Sequence, residues 1–302
     1  MARQLSDKNT LLFSTGGVPT AGDVITTNND IIINPKTKSA DYKDKGNGAS
    51  GNDKTLSIPD WTTVDFPVDI IARASGTAGV APKIAELFKA CGLSETIAAG
   101  VSVTYAPAMN QATATAKAYL DGYMRDVTGI AGDLTISGKV GEQAKLSFSL
   151  KGFTTLDEAA EANPTVTLDQ NTTLIIQSAQ VITVGGSTIN LESFDFSLGN
   201  EIEEVYAIGL KEYFVGGFKP TLKVKAVKTK GNSDHWNELK LNTKKEVIIV
   251  LGIGAGETLT LTASYCNPME VAESADNKKI VYDRTWLCES SAGNDNFSLV
   301  YT

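Results

Sequence analysis

Through much of this 302-residue chain apolar side chains recur at every second position, the period of strands that bury one face. From Thr62 to Arg73, Val64, Phe66, Val68 and Ile70 share one face and Asp65 and Asp69 the other. The stretch ends in the loop Ser75-Gly76-Thr77-Ala78-Gly79. The period then changes: Ile84, Leu87, Phe88 and Cys91 are spaced for a helix, with Pro82 at its first turn and Gly92 supplying a left-handed stop. A strand at Val101 to Tyr105 follows. Leu134 and Ile136, then Leu146, Phe148 and Leu150, predict a hairpin turning at Lys139-Val140-Gly141-Glu142. Near the start, Leu11 to Phe13 predicts a first strand and Ile31 to Ile33 forms an apolar patch.

The second half repeats the vocabulary. Strands are predicted at Thr173 to Val184, Ile189 to Leu198, Lys219 to Lys230, Glu246 to Leu251, Thr258 to Tyr265 and Asn296 to Tyr301. Between them, NSDHWNELKLN predicts a short helix capped by Ser233 or Asp234 and carrying Trp236 and Leu239. Gly76 and a helix in the first half correspond to Gly231 and a helix in the second, and Phe148 corresponds to Phe297 or Leu299. The order of elements therefore repeats at an offset near 150 residues. The expectation is a mainly β chain of two similar β-sandwich or partial-barrel modules, residues 1–155 and 156–302, each flanked by a short α-helix. The acidic, alanine-rich LDEAAEANP at 156–164 joins them as a linker with room for one helical turn, stopped by proline.

Two stretches break the pattern. Ala114 to Gly122 is polar and small. Lys36 to Leu56, KTKSADYKDKGNGASGNDKTL, is almost devoid of apolar residues and rich in glycine turn signals, so it predicts a long exposed loop or arm that adds nothing to a core. Its residues Lys43, Asp44, Lys45 and Asn47 are candidates for contacts between subunits.

The succession SGTAG, APKIAELFKACGLSET and VSVTYAP, preceded by NTLLFSTGGVPTAGDVITTNNDIIINP, resembles the opening of the tail tube proteins of long-tailed bacteriophages. The resemblance spans roughly residues 9 to 155. It implies a structural virion protein that assembles in the host cytoplasm into stacked rings whose inner sheets join into a tube. It also implies contacts with further copies of the chain, a tape-measure protein, and tail terminator and baseplate or tip proteins. Double-stranded DNA would pass through the lumen transiently and without sequence preference. Rings of that family present six modules, so a two-module chain implies three chains per ring, with six chains as the alternative. The non-core faces of long strands would line the lumen, which nominates Asp65, Asp69, Glu201, Glu203 and Glu204.

Charge sharpens this picture. Residues up to Thr155 hold 15 basic and 15 acidic side chains, and those from Leu156 hold 12 and 20, so the net charge of −8 belongs to the second half. The balance lacks the basic footprint of a nucleic-acid grip. An acidic surface would instead let DNA slide. No apolar run approaches the roughly 20 residues of a membrane helix, so no membrane anchor is expected, and the opening MARQLSDKNT lacks the apolar core of a secretory signal.

Candidate chemistry is sparse, and neither an enzymatic activity nor a cofactor is expected. His235 is the one histidine and reads as a surface or capping residue. Catalysis would require His235, Cys288 and an acid to meet in one cleft. Cys91, Cys266 and Cys288 are widely spaced, without a C-x-x-C pair, and read as small buried hydrophobes rather than as a zinc site or a disulfide framework. Gly252 to Gly256 resembles a dinucleotide loop, yet a strand pattern follows it where a helix would have to hold phosphate, so it reads as a hairpin turn. Gly132 to Val140 misses the phosphate-loop spacing by one residue and ends on valine. Acids at Asp157, Glu158 and Glu161, and at Glu201, Glu203 and Glu204, lie in polar runs without an aromatic cleft and read as solvated faces. Asn171 and Asn296 match the N-glycosylation pattern, which means little without a secretory signal. A different class of function, a carbohydrate- or surface-binding adhesive β protein, would show aromatic platforms on its loops.

Overall fold

The computed structural model describes residues 5, 7–43, 53–108, 113–177, 180, 182–230, 235–252, 254 and 256–302. The chain opens with β1 (Asn9–Ser14), β2 (Val24–Ile25), β3 (Lys36–Lys43) and the long β4 (Asp53–Ile71). Helix α1 (Ala85–Ala90) leads into β5 (Leu93–Ala98), β6 (Ser102–Pro107), β7 (Ala114–Leu120), β8 (Tyr123–Lys139) and β9 (Lys145–Thr154). Short strands β10 (Ala159–Ala160), β11 (Ile182–Val184) and β12 (Ser187–Thr188) precede β13 (Asn190–Ser197), and the hairpin β14 (Asn200–Ala207) and β15 (Leu210–Phe218) is followed by β16 (Thr221–Val227). Helix α2 (His235–Leu241), β17 (Lys245–Gly252), β18 (Thr258–Asp276), β19 (Lys279–Cys288) and β20 (Ser298–Tyr301) complete the chain. The molecule is mainly β, as its alternation predicts, and no sheet closes into a barrel.

Antiparallel pairing builds two layers. The larger runs β3-β4-β9-β8-β13-β16-β19-β18. The smaller runs β5-β6-β20-β18-β17-β11-β12. Strand β18 belongs to both: Thr258 to Cys266 pairs with β17, and Cys266 to Asp276 pairs with β19, with a bulge between Pro268 and Glu270 where it bends away. Strands from before and after residue 155 therefore pair in each layer, β8 with β13 and β6 with β20. One hydrophobic cluster reaches from Leu11 to Tyr301. Val64, Phe66, Val68 and Ile70 of β4 are all buried in it, beside Leu146, Phe148 and Leu150 of β9. Each such side chain contributes roughly 1.5–3 kcal/mol by leaving water.

Helix α1 wedges this core. The ring of Phe88 lies 4.8 Å from that of Tyr105, 5.9 Å from Phe148 and 6.2 Å from Tyr301, touching both layers at once. Gly92 ends the helix at φ +81°, the left-handed stop its sequence predicts. The start differs from expectation: Pro82 accepts a turn bond from the Ala85 amide, and helical geometry begins only after Ile84. Gly79, in the preceding loop, has φ +73°, and a Cβ there would lie 2.3 Å from the Gly100 amide, so the loop can approach the β5–β6 turn only as glycine.

Several other expectations are corrected. Lys36 to Leu56 is not a structureless loop: β3 and the start of β4 pair from Lys43↔Asp53 to Lys36↔Thr63 as a hairpin arm exposed on both faces. A ribbon held by backbone hydrogen bonds needs no apolar alternation, so periodicity could not reveal it. Asp44, Lys45 and Asn47 lie outside the described residues. Ala114 to Leu120 is strand β7, its alanines buried against β1 and β8. Residues 156–164 form no helical turn; Ala159 and Ala160 pair with Met124 and Tyr123. Of the strand expected at Thr173 to Val184, the described residues form only isolated bridges and β11.

Helix α2 departs most. Ser233 and Asp234 lie outside the described residues. Trp236 is exposed, whereas His235, expected at the surface, is 3% exposed and supplies the buried face. Its Nδ1 lies 3.2 Å from Nη1 of the buried Arg284, which also sits 2.6 Å from Glu238 Oε2 and covers the ring of Trp286 at 4.6 Å. The ring of Tyr282 lies tilted against the imidazole, 4.3 Å between centroids. The arginine drives the exception: its guanidinium points into the core and needs polar partners there. Burial, and after it the Arg284 cation, hold the His235 imidazole below its ordinary value of 6.5. Burial alone would raise the Glu238 carboxyl, but hydrogen bonds from Lys245 and Arg284 outweigh it and leave it below the ordinary carboxylate value.

Two predictions follow from this packing. Phe88→Ala should cost about 3–5 kcal/mol and Leu87→Ala about 2–5 kcal/mol in chemical denaturation, since both side chains are fully buried; losses below about 1 kcal/mol at both would show that α1 is not a core element. The second concerns pH. The unfolded chain takes up a proton on its histidine near 6.5 that the folded protein refuses, so stability is full above that pH and falls as pH drops below it. Thermal midpoints measured from pH 7.5 to 5.5 should decline in the parent protein and stay level in His235→Asn, because the chain has no other histidine.

Candidate functional site

The larger layer turns its second face away from the core, and this face is written in small and charged residues. Along β9 it shows Lys145, Ser147, Ser149 and Lys151; along β13, Ser193, Asp195 and Ser197; along β16, Lys223 and Lys225; along β19, Asp283 and Thr285. Alternation in the strands places them there, because each neighbour in sequence is committed to the core. The face is concave over β8, β9, β13, β16 and β19, forming a trough of about 520 Å³ lined by Ser137, Lys145, Asp195, Lys223, Lys225 and Asp283 among others.

Register balances its charges. Asp195 stands directly opposite Lys223, Asp283 opposite Lys225, and Asp65 opposite Lys151. Opposite charges so placed attract across the strands, so Lys151, Lys223 and Lys225 are matched before any external anion arrives, whereas Lys145 stands opposite Ser137 and Ile71. Asp65 also lies 3.4 Å from Lys36. Asp69 shares the face of Asp65 and stands opposite Ser147, while its backbone amide donates to the side chain of Asn29. The face is thus charge-balanced rather than acidic.

The nominated glutamates lie elsewhere. Glu201, Glu203 and Glu204 are on β14, in a separate two-stranded sheet with β15. Glu204 faces the arm: it sits 3.3 Å from Lys38 and accepts a hydrogen bond from the Trp61 indole. Trp61 in turn stacks on Tyr206 at 4.2 Å, and Asp60 accepts from the Tyr206 hydroxyl and pairs with Lys211. Phe153 and Tyr213 extend the stack beneath. The hairpin reaches β8 through Gly129, at φ +59°, where a Cβ would meet the Lys211 carbonyl at 2.6 Å. Sequence reading missed this aromatic clasp between arm and hairpin. Its signals, Trp61 beside a strand that otherwise alternates and aromatics scattered through the acidic run, lie about 145 residues apart.

Both hairpins carry apolar side chains into solvent. Ile208, at the apex between β14 and β15, is fully exposed, and Leu210, Tyr42 and Leu56 are exposed as well. Among the described residues the outer half of β18 pairs with a strand on one side only, β19, and Met269 is exposed there. The larger layer therefore begins at the protruding β3–β4 hairpin and ends at the β18–β19 hairpin, whose β19 is paired with β16 from Val281 to Leu287. Lys43, the described member of the nominated arm contacts, lies near the tip of the first and pairs with Asp53 at 2.9 Å.

His235 and Glu238 do come together, but with Arg284 and under α2, closed from solvent rather than opening on a cleft. Among the described residues no group of three His, Cys, Asp or Glu side chains is arranged to hold a metal ion, and no helix is long and apolar enough to cross a membrane. No curated protein matches the chain. A family model described as phage tail tube protein does match, over residues 15–286, from the end of β1 into β19. A match of that extent takes in both layers, the arm, the acidic hairpin and the balanced concave face, and the chain accordingly belongs to the phage tail tube protein family.

Proposed function

We propose that the chain self-assembles into stacked rings that form the tail tube of a bacteriophage, with the concave face of the larger layer turned to the lumen. The observation that carries this reading is the pairing of that face with the two ends of its sheet. The layer is polar and balanced on its free side, and it terminates at one end in the protruding β3–β4 arm and at the other in the β18–β19 hairpin. Head-to-tail contact between the β18–β19 end of one chain and the β3–β4 end of the next is heterologous, and repetition about an axis closes such contacts into a ring. Strand edges that invite aggregation in a monomer become ordered contacts there.

A lumen of this composition suits transit. Every phosphate contacted by a free Lys or Arg adds affinity that must be broken again before DNA moves on. Lysines already faced by aspartates offer little such grip, and the carboxylates keep phosphate at a distance. DNA would cross during ejection, a tape-measure protein would occupy the space before it, and the tube ends would meet terminator and baseplate or tip proteins. Within the lumen Asp65 and Asp69 are the acids we assign from the first half. For Glu201, Glu203 and Glu204 we assign a role at the clasp and its rim. The reading also includes two modules per chain, 1–155 and 156–302, and hence three chains per ring. The repeat of strand, helix and strand pair around α1 and α2 supports it.

Electron microscopy of the purified chain tests the assignment: hollow tubes of uniform width are expected, and a persistently monomeric chain would contradict it. Mass per axial repeat should be near three times 32.0 kDa, with only approximate six-fold symmetry in class averages. Six chains per repeat would overturn the two-module ring and leave the tube standing. Replacing residues 39–57 by a short turn should leave the thermal transition nearly unchanged, because the described residues of that segment, 39–43 and 53–57, are exposed on both faces, while tubes fail to elongate. Unfolding of the shortened chain would instead make the arm part of the core.

A further inference from the structure

Two of the three cysteines face each other across the corner of the sandwich. Cys266 of β18 is the register partner of Cys288 of β19, and their sulfur atoms are 3.9 Å apart. The ladder's phase identifies the kind of pair. The Glu289 amide donates to the Tyr265 carbonyl at 2.9 Å, so the hydrogen bond lies one residue outside Cys266 and Cys288 and the two form a non-hydrogen-bonded pair. In such a pair the Cα atoms are about 4.5 Å apart, inside the range of about 4.4–6.8 Å that a disulfide spans. The sulfurs need only turn about their Cα–Cβ bonds to close to about 2.05 Å, with no shift of register.

We propose that Cys266 and Cys288 are a disulfide-forming pair that staples the chain where β18 passes from the smaller layer to the larger. The position favours a staple. Cys266 is the last residue of β18 to pair with β17 and the first to pair with β19, and the bulge at Pro268 and Glu270 follows at once. The bond closes a loop from 266 to 288 that contains the whole outer hairpin, one end of the larger layer.

The oxidant is a hydroperoxide. One sulfur, as thiolate, attacks the peroxide oxygen, the O–O bond breaks and the departing hydroxide takes a proton to leave as water, giving a sulfenic acid. The second sulfur attacks that sulfur, its proton leaves with the displaced hydroxide as a second water, and the S–S bond forms. Two thiols have then given two electrons to one hydrogen peroxide. The hydrogen bond with Cys288 and burial both raise the Cys266 thiol well above its ordinary value, so Cys266 rests protonated and inert. Reaction waits for the outer hairpin to open locally, or for refolding. Cys91, buried at the end of α1, serves as the internal control.

The test uses the full-length protein treated with hydrogen peroxide, both folded and during refolding from urea, then blocked and digested with trypsin without reductant. The expected product is one linked species joining the peptide that begins at Glu246 to the one that begins at Thr285, two hydrogens lighter than the sum of its parts, with Cys91 recovered as thiol. Its thermal midpoint should exceed that of the reduced protein by about 5 °C. The difference should vanish with dithiothreitol and in Cys266→Ala, and persist in Cys91→Ala. Recovery of both cysteines as thiols after both treatments overturns the proposal. So does their recovery as sulfinic or sulfonic acids, or in links between chains.

Discussion

Five residue pairs between β8 and β13, from Ser193 opposite Lys139 to Ser197 opposite Thr135, carry the continuity of the larger layer. On one side lie strands from the first half of the chain, on the other strands from the second. Without that ladder the concave face would be two short ribbons. With it, Phe194 and Phe196 are fixed on the core side and Ser193, Asp195 and Ser197 on the open side, so a single register decision places both the packing and the exposed polar surface. The β6–β20 ladder makes the same join in the smaller layer. One hydrophobic cluster accordingly runs beneath strands from both halves.

The core strands were legible because one buried face imposes a period of two, as in Val64, Phe66, Val68 and Ile70. Helix α1 was legible because Leu87 and Phe88 recur at helical spacing before Gly92. Elements that lack such a face were not. The arm is solvated on both sides, β7 buries alanines too small to mark a period, and β14–β15 mixes acids with aromatics that pack outside the main core. The polar face was half legible: Asp65 and Asp69 could be assigned to it from alternation. Its balance could not, because Asp195 meets Lys223 and Asp283 meets Lys225 only once the pairing of distant strands is known. His235 was misread for a related reason. Its partner Arg284 lies 49 residues away, in a strand where a buried arginine has no sequence signature.

The two helices occupy comparable places by opposite means. Beneath α1 the contact is aromatic and aliphatic, and it gains from simple removal of surface from water. Beneath α2 a histidine, a glutamate and an arginine are held together with Tyr282 and Trp286. Such a cluster is weak as a source of stability and demanding in geometry, since each member is costly to bury without the others. It therefore fixes which way α2 can sit more sharply than it strengthens the fold. The first half is suited to holding the core closed, the second to holding one orientation of the outer strands.

The shared ladders also govern how the chain comes into being. When Thr155 has been made, β6 and β8 each present an edge whose partner, β20 or β13, does not yet exist. The residues from Leu156 to the start of β20 at Ser298 take on the order of 7–30 s to add at about 5–20 residues per second. β13 arrives early in that interval, but β20 follows it by about 100 residues, so the edge of β6 waits far longer for its partner than that of β8. For that time every ribosome working on this message carries a sticky, half-built sandwich, and neighbouring ribosomes on the same message hold identical ones close by. The spacing of ribosomes, and whatever shields nascent edges in the host, thus become determinants of how much of this protein reaches its folded form.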